Sequence, residues 1–306
     1  MSETLGLIGL GNMGQPIATN LLGAGYKLRV YNRTAEKAAP LVAEGAIATS
    51  DPAEVAEPGA VVFTMLADDK ALEDVCLRER SFVERLGPGG IHVSMSTIAP
   101  ATARRLADHH AKYKVAYVGG PVFGRPDAAA AKRLWICFSG PEPAKKRIQP
   151  ILAAFTQGRF DFGEASSAAN VAKLCGNFLI AAAIEALSEA LTLAEKNGLD
   201  RKQVSDMVGQ TLFACPVYQG YGRHIAEHDY LPAGFRLALG LKDINLVLGA
   251  AASSQTPMPL ASLLRDRWLS GIAKGRADLD WSAVALGVAE DAGLKVDEHL
   301  GKTAAG

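Results

Sequence analysis

Leu5-Gly6-Leu7-Ile8-Gly9-Leu10-Gly11-Asn12-Met13-Gly14 sets the spacing Gly-x-Gly-x-x-Gly directly after a short apolar run and ahead of a helical pattern over 15–22. The order decides the fold, because strand, tight glycine turn and helix N-terminus make the first unit of a dinucleotide-binding sheet. Gly9 reads as the tight turn, Gly11 as the point where backbone approaches a pyrophosphate, and Gly14 as the close contact of helix with strand. Leu10, Asn12 and Met13 complete the candidate cofactor loop. The plain alternative is a glycine-rich turn without a ligand.

About 20 residues further on, where an acidic residue commonly takes the ribose 2′-hydroxyl of NAD, the second strand runs out into Tyr31-Asn32-Arg33-Thr34. The position is not acidic. Arg33, with Asn32 and Thr34 as further donors and Lys37 one turn on, suits the 2′-phosphate of NADP; otherwise Arg33 is a solvated loop charge.

Outward from this unit, short apolar runs alternate with helical patterns, the mark of βαβ units and a parallel sheet. Strands are expected over 5–9, 28–31, 60–65, 92–94, 116–119 and 134–139, with helices over 15–22, 35–44 and 101–112. Near Gly163 the pattern becomes helical throughout, which divides the chain into an open, doubly wound α/β domain, 1–164, and an all-helical domain, 165–306. A helix over 168–196, capped by Ser166 or Ser167 and stopped by Asn197-Gly198, would be on the order of 45 Å long and span an interdomain interface. Its segment 178–184 is apolar all round and should be buried on every side, so it is expected to pack against a second copy, giving a homodimer or a tetramer. Further helices are expected over 201–210, 216–228, 237–253, 259–271 and 282–291.

Composition narrows the function. Lys plus Arg and Asp plus Glu both number 32, so the formal charge is zero and no broad basic field exists for nucleic acid or an anionic membrane. No uninterrupted apolar run reaches the ~20 residues of a bilayer span. Cys76, Cys137, Cys175 and Cys215 are far apart, which reads as isolated buried thiols, with no bound metal expected. The first strand starts within a few residues of Met1, leaving no room for a secretion signal, so the cytoplasm is the expected compartment.

A set of ordered motifs adds a resemblance. The glycine loop, Met65-Leu66-Ala67-Asp68, Ser96-Thr97-Ile98-Ala99-Pro100, Gly120-Pro121-Val122-Phe123-Gly124, Lys173-Leu174-x-x-Asn177, and Phe235 through Lys242-Asp243 resemble those of the β-hydroxyacid dehydrogenases. The resemblance implies a Rossmann domain joined by a long helix to a helical domain, and hydride transfer between a nicotinamide and a small hydroxy acid or aldehyde acid. It implies Lys173 as general acid/base with Asn177 as its partner at the reacting oxygen. Thr97, Gly120, Pro121, Val122, Phe123, Gly124, Phe235 and Asp243 would face the substrate. Met65, Leu66, Ala67, Thr97 and Lys242 would line the cofactor. Physical logic agrees for the central pair, since residues i and i+4 project from one helix face; the plain alternative is a lysine snorkelling at a helix edge.

Phe123 departs from the resemblance, because a serine that binds the substrate carboxylate is common there. Arg125 either replaces that donor or is a surface charge, and Phe123 otherwise marks a less polar substrate. An imine reductase is the competing enzyme, and a noncatalytic NADP-binding scaffold is the competing class; retention of Lys173 speaks against both. His224-x-x-Glu227-His228 matches an inverted zinc-peptidase pattern but lacks an evident third ligand. Asn32-Arg33-Thr34 as a glycosylation sequon and Gly301-Lys302-Thr303 as the end of a phosphate loop are chance matches.

Overall fold

The computed structural model describes residues 3–296, so Gly301-Lys302-Thr303 lies outside the described residues. It divides into two compact units, Met1–Lys173 and Leu174–Gly306.

In the first unit, β1 (Thr4–Ile8), α1 (Gly14–Gly23), β2 (Lys27–Tyr31), α2 (Ala39–Ala43), β3 (Ile47–Ala48), β4 (Val61–Thr64), α3 (Asp69–Cys76), α4 (Phe82–Leu86), β5 (Ile91–Ser94), α5 (Pro100–Lys112) and β6 (Ala116–Gly119) follow in order. Six parallel strands form one sheet in the order β3-β2-β1-β4-β5-β6. The order reverses between β1 and β4, and in such sheets the loops at that reversal receive the ligand.

Successive side chains on these strands go to opposite faces. Leu5, Leu7, Val61 and Phe63 join one buried cluster, and Ile8 and Val62 join the other. Cover on both faces explains why these strands read as continuous apolar runs rather than alternating ones.

The expected strand 134–139 exists as β8 (Leu134–Phe138) but lies outside the main sheet. With β7 (Val122–Phe123) and β9 (Thr156–Asp161) it forms a second, three-stranded sheet, antiparallel to β7 and parallel to β9. Helices α6 (Pro126–Ala130) and α7 (Glu142–Leu152) complete the unit. The expected helix over 35–44 begins as a 3₁₀ turn, Ala35–Ala38.

Helix α8 (Ala168–Lys196) has the expected bounds and is followed by α9 (Arg201–Gln210), α10 (Pro216–Glu227), α11 (Leu237–Ser253), α12 (Pro259–Ala273) and α13 (Val284–Asp291). In the second unit, Ile184, Leu187 and Leu191 of α8 pack with Ile225, Trp268 and Trp281 in one apolar cluster. By length and composition α8 would suffice to cross a bilayer, although no unbroken apolar run predicted it; half of its most apolar window is buried within the chain. It also carries Glu185, buried, with Arg267 Nε 2.8 Å from its Oε1, as a core helix does. Its apolar middle is not covered on every side, since Leu179 is 65% exposed. Cys76 and Cys137 are buried as expected, whereas Cys175 and Cys215 are exposed.

Candidate active site

The three glycines of the loop are required for different reasons. Gly9 has φ +101° and a Cβ there would overlap the carbonyl oxygen of Met65, while a Cβ on Gly14 would overlap the carbonyl oxygen of Gly9. Gly11 meets nothing within 4 Å. Packing within the chain therefore explains Gly9 and Gly14 but not Gly11, whose missing side chain leaves a cradle that fits a phosphate group drawn up to the backbone. No acidic residue stands in the first turn of α1 to compete for that anion.

Asn32 holds this loop in place, since the Leu10 amide donates to its Oδ1 at 2.9 Å and its Nδ2 donates to the Thr34 carbonyl at 2.9 Å. Its amide is thus spent mainly on architecture. Arg33, Thr34 and Lys37 are exposed at the end of β2.

The loops after β4 and β5 are stitched together. The Leu66 amide donates to the buried Ser96 hydroxyl at 2.8 Å, and the Ala99 amide donates to Asp69 at 2.9 Å. Asp68 caps α3 through the Ala71 amide at 2.8 Å. Met65, Leu66 and Thr97 are half-buried and Ala67 is exposed. Ser96 and Asp69 were not singled out from sequence, because bracing between loops depends on partners 30 residues away.

Gly120 is anchored by its amide, which donates to Ser94 at 2.7 Å, and the Cys137 amide donates to Pro121 at 3.0 Å. Gly124 turns with φ +133° against Leu134. Phe123 projects from this segment to Lys173, whose Nζ lies 3.9 Å from the ring centroid. Lys173 is 8% exposed. Burial pushes the Cys137 thiol up, and the charge of Lys173 opposes that shift. One turn earlier on α8, Asn170 is buried, its Oδ1 against Gly119, and neither amide atom has a hydrogen-bonding partner among the described residues. Orphaned buried amide atoms fit a site that takes up a polar ligand.

The second unit supplies the other candidates. Asn177 Nδ2 donates to Asp243 Oδ2 at 2.5 Å, both residues being buried, and Lys242 Nζ lies 2.9 Å from Asp243 Oδ1. Phe235 packs edge-on against Trp281 at 4.8 Å. Asp280, another residue the sequence did not flag, accepts from the amides of Gly234 and Phe235 at 3.1 and 3.2 Å and fixes that turn.

One group of metal-ligand types lies close together among the described residues: Cys76, His92 and His110, all buried. Hydrogen bonds already occupy the ring nitrogens. The Leu106 carbonyl can only accept, so His110 Nδ1 donates to it at 2.6 Å; His92 Nδ1 then donates to His110 Nε2 at 2.8 Å, and Thr64 donates to His92 Nε2 at 2.9 Å. Burial holds His92 well below the ordinary imidazole range and pushes His110 down to about 4, so the rings are neutral and this directional chain is complete. The zinc-peptidase pattern also separates: His228 ends α10 in a left-handed conformation beside Arg201, while His224 faces Asp229.

Residues 4–171 match the NAD binding domain of 6-phosphogluconate dehydrogenase, and residues 167–287 match the NAD-binding domain of NADP-dependent 3-hydroxyisobutyrate dehydrogenase. The chain is 48% identical to an uncharacterized oxidoreductase, YfjR, of Bacillus subtilis, over 92% of this chain and 98% of that protein. It is 31% identical to a 3-hydroxyisobutyrate dehydrogenase of Pseudomonas aeruginosa, over 86% of this chain and 90% of that one. The crystal structure of Mycobacterium tuberculosis 3-hydroxyisobutyrate dehydrogenase superposes with a TM-score of 0.84 at 29% identity, covering 94% of this chain and 99% of that chain. With a glycine loop built to receive a dinucleotide and the ordered motifs in register along the fold, the chain belongs to the β-hydroxyacid dehydrogenase family of pyridine-nucleotide-dependent oxidoreductases.

Proposed function

We propose that the protein transfers a hydride between NADP and a small hydroxy acid or aldehyde acid, with Lys173 as general acid/base. The carrying observation is a buried lysine one turn before a buried asparagine on the same helix, the asparagine held by Asp243. When bound, the nicotinamide supplies or accepts the hydride. In reduction the Lys173 ammonium gives a proton to the carbonyl oxygen; in oxidation its amine takes one from the hydroxyl. Asn177, its amide oriented by Asp243, hydrogen bonds the same oxygen. Thr97 and the segment from Gly120 to Gly124 position the substrate.

NADP is favoured over NAD because the end of β2 carries exposed Arg33 and no carboxylate. Four free cysteines suit the cytoplasm. Exposed Val171, Leu179 and Leu193 on α8 suit a face covered by a second copy, which supports a homodimer or tetramer. A C=N substrate is the second reading, favoured by Phe123.

An NADPH-oxidation screen over small aldehyde acids, keto compounds and cyclic imines, with Lys173→Met as control, tests the proposal. Reduction of an aldehyde acid that falls by about 10²–10⁴ in the variant supports it. A variant as fast as the parent, or oxidation confined to imines, overturns it.

A further inference from the structure

The contact between Phe123 and Lys173 reaches beyond the general chemistry of the site. Phe123 is not on a loose loop. Its strand pairs with β8, Val122 opposite Ile136 and Phe123 opposite Trp135, and alternate strand residues face opposite ways. Val122 enters the core of the first unit, and Phe123 takes the other side, where its ring faces the Lys173 ammonium at 3.9 Å.

A buried ammonium normally attracts anions. Here one approach to it is taken by a π-face, which carries negative quadrupolar density, repels a carboxylate and offers it no hydrogen. Within the segment itself no other side chain compensates, since Gly120, Pro121, Val122 and Gly124 contain no side-chain N–H or O–H. A carboxylate on this side would lose its water without gaining a side-chain donor from the segment, whereas an alkyl or aryl group would pack on the ring.

We propose that Phe123 is a specificity-determining residue that screens the Lys173 ammonium from anions and selects carbonyl compounds whose substituent on that side is uncharged and apolar. The inference rests on the assignment of Lys173 to the reacting oxygen. It narrows the substrate class to carbonyl compounds whose substituent facing the segment 120–124 is apolar.

The test uses the full chain with NADPH and two isosteric aldehydes, succinic semialdehyde and 4-methylpentanal, which differ in carboxylate against isopropyl. The parent protein should favour 4-methylpentanal in kcat/KM by at least tenfold. Phe123→Ser should shrink that ratio at least tenfold, chiefly by gaining on succinic semialdehyde, while Phe123→Leu, apolar and able to cover the ammonium, keeps it within about threefold. Calorimetry of the NADP-loaded protein with isobutyrate and isobutyramide needs no turnover. Phe123→Ser should tighten isobutyrate at least tenfold with little change for isobutyramide, and adding Lys173→Met should erase the gain. If no aldehyde is reduced by any form, the assigned reaction fails while calorimetry still decides the role of Phe123. A parent that prefers the carboxylate member of either pair, or a Phe123→Ser protein with both ratios unchanged, overturns the inference.

Discussion

Asn177 Nδ2 donates to Asp243 Oδ2 at 2.5 Å, joining a buried amide on α8 to a buried carboxylate on α11. A carboxylate only accepts, so the bond sets which way the amide points. The motif resemblance, with which the i and i+4 spacing agrees, offered Asn177 as a partner of Lys173; the structure adds the group that orients the amide.

Asp243→Ala should therefore act twice. The buried amide loses a charge-assisted bond, which costs about 1.5–3 kcal/mol of stability, read by urea unfolding. Turnover should fall alongside, and Asn177→Ala combined with Asp243→Ala should cost less than the two singles added, a coupling of roughly 0.5–3 kcal/mol. Strict additivity in unfolding would show that the pair is not a working contact.

The glycine loop gives a contrast within six residues. Gly14→Ala overlaps the Gly9 carbonyl and should destabilise the fold by about 1–3 kcal/mol. Gly11→Ala meets nothing, so stability should stay within about 0.5 kcal/mol while the dinucleotide dissociation constant, from quenching of protein fluorescence, rises tenfold or more. Unchanged dinucleotide affinity in Gly11→Ala would remove the pyrophosphate from that position.

Much of this was legible because the signals were local. The glycine spacing, the apolar runs of β1 and β4, and the stop at Asn197-Gly198 each depend on neighbours in the chain, and α8 has the predicted bounds. β9 gave no such signal: Thr156-Gln157-Gly158-Arg159-Phe160-Asp161 has one large apolar residue, half exposed and tilted against Trp135 of β8 at 5.9 Å. The braces were hidden for a related reason. Ser96 serves Leu66 and Asp280 serves Phe235, pairings that exist only once distant segments meet.

Arg33 stands exposed just beyond β2, the strand adjoining β1, where a 2′-phosphate would need a cation. Arg33→Ala should lower kcat/KM for NADPH by about ten- to hundredfold, as loss of a charge-assisted contact predicts, and leave the value for NADH nearly unchanged. An equal loss with both dinucleotides would make Arg33 a general contributor to the loop, and a parent that prefers NADH would exclude the phosphate role.

The buried imidazoles couple the stability of the first unit to pH. Thr64, His92 and His110 form one chain of hydrogen bonds with both rings neutral, Tyr117 packing edge-on against each ring and His109 beside His110. Burial lowers both imidazoles, His92 well below 6.5 and His110 to about 4. The unfolded chain, with ordinary imidazoles, then binds protons that the native state refuses as pH falls below about 6.5. Stability is fully present above that value and is lost on acidification, by about 3 kcal/mol for His110 alone once its folded value near 4 is reached. His110→Gln cannot titrate. It should be less stable than the parent at pH 7, because it disrupts the chain, yet lose less stability between pH 7 and pH 5 in urea titrations. Equal losses for parent and variant over that interval would show that His110 is not a source of the acid sensitivity.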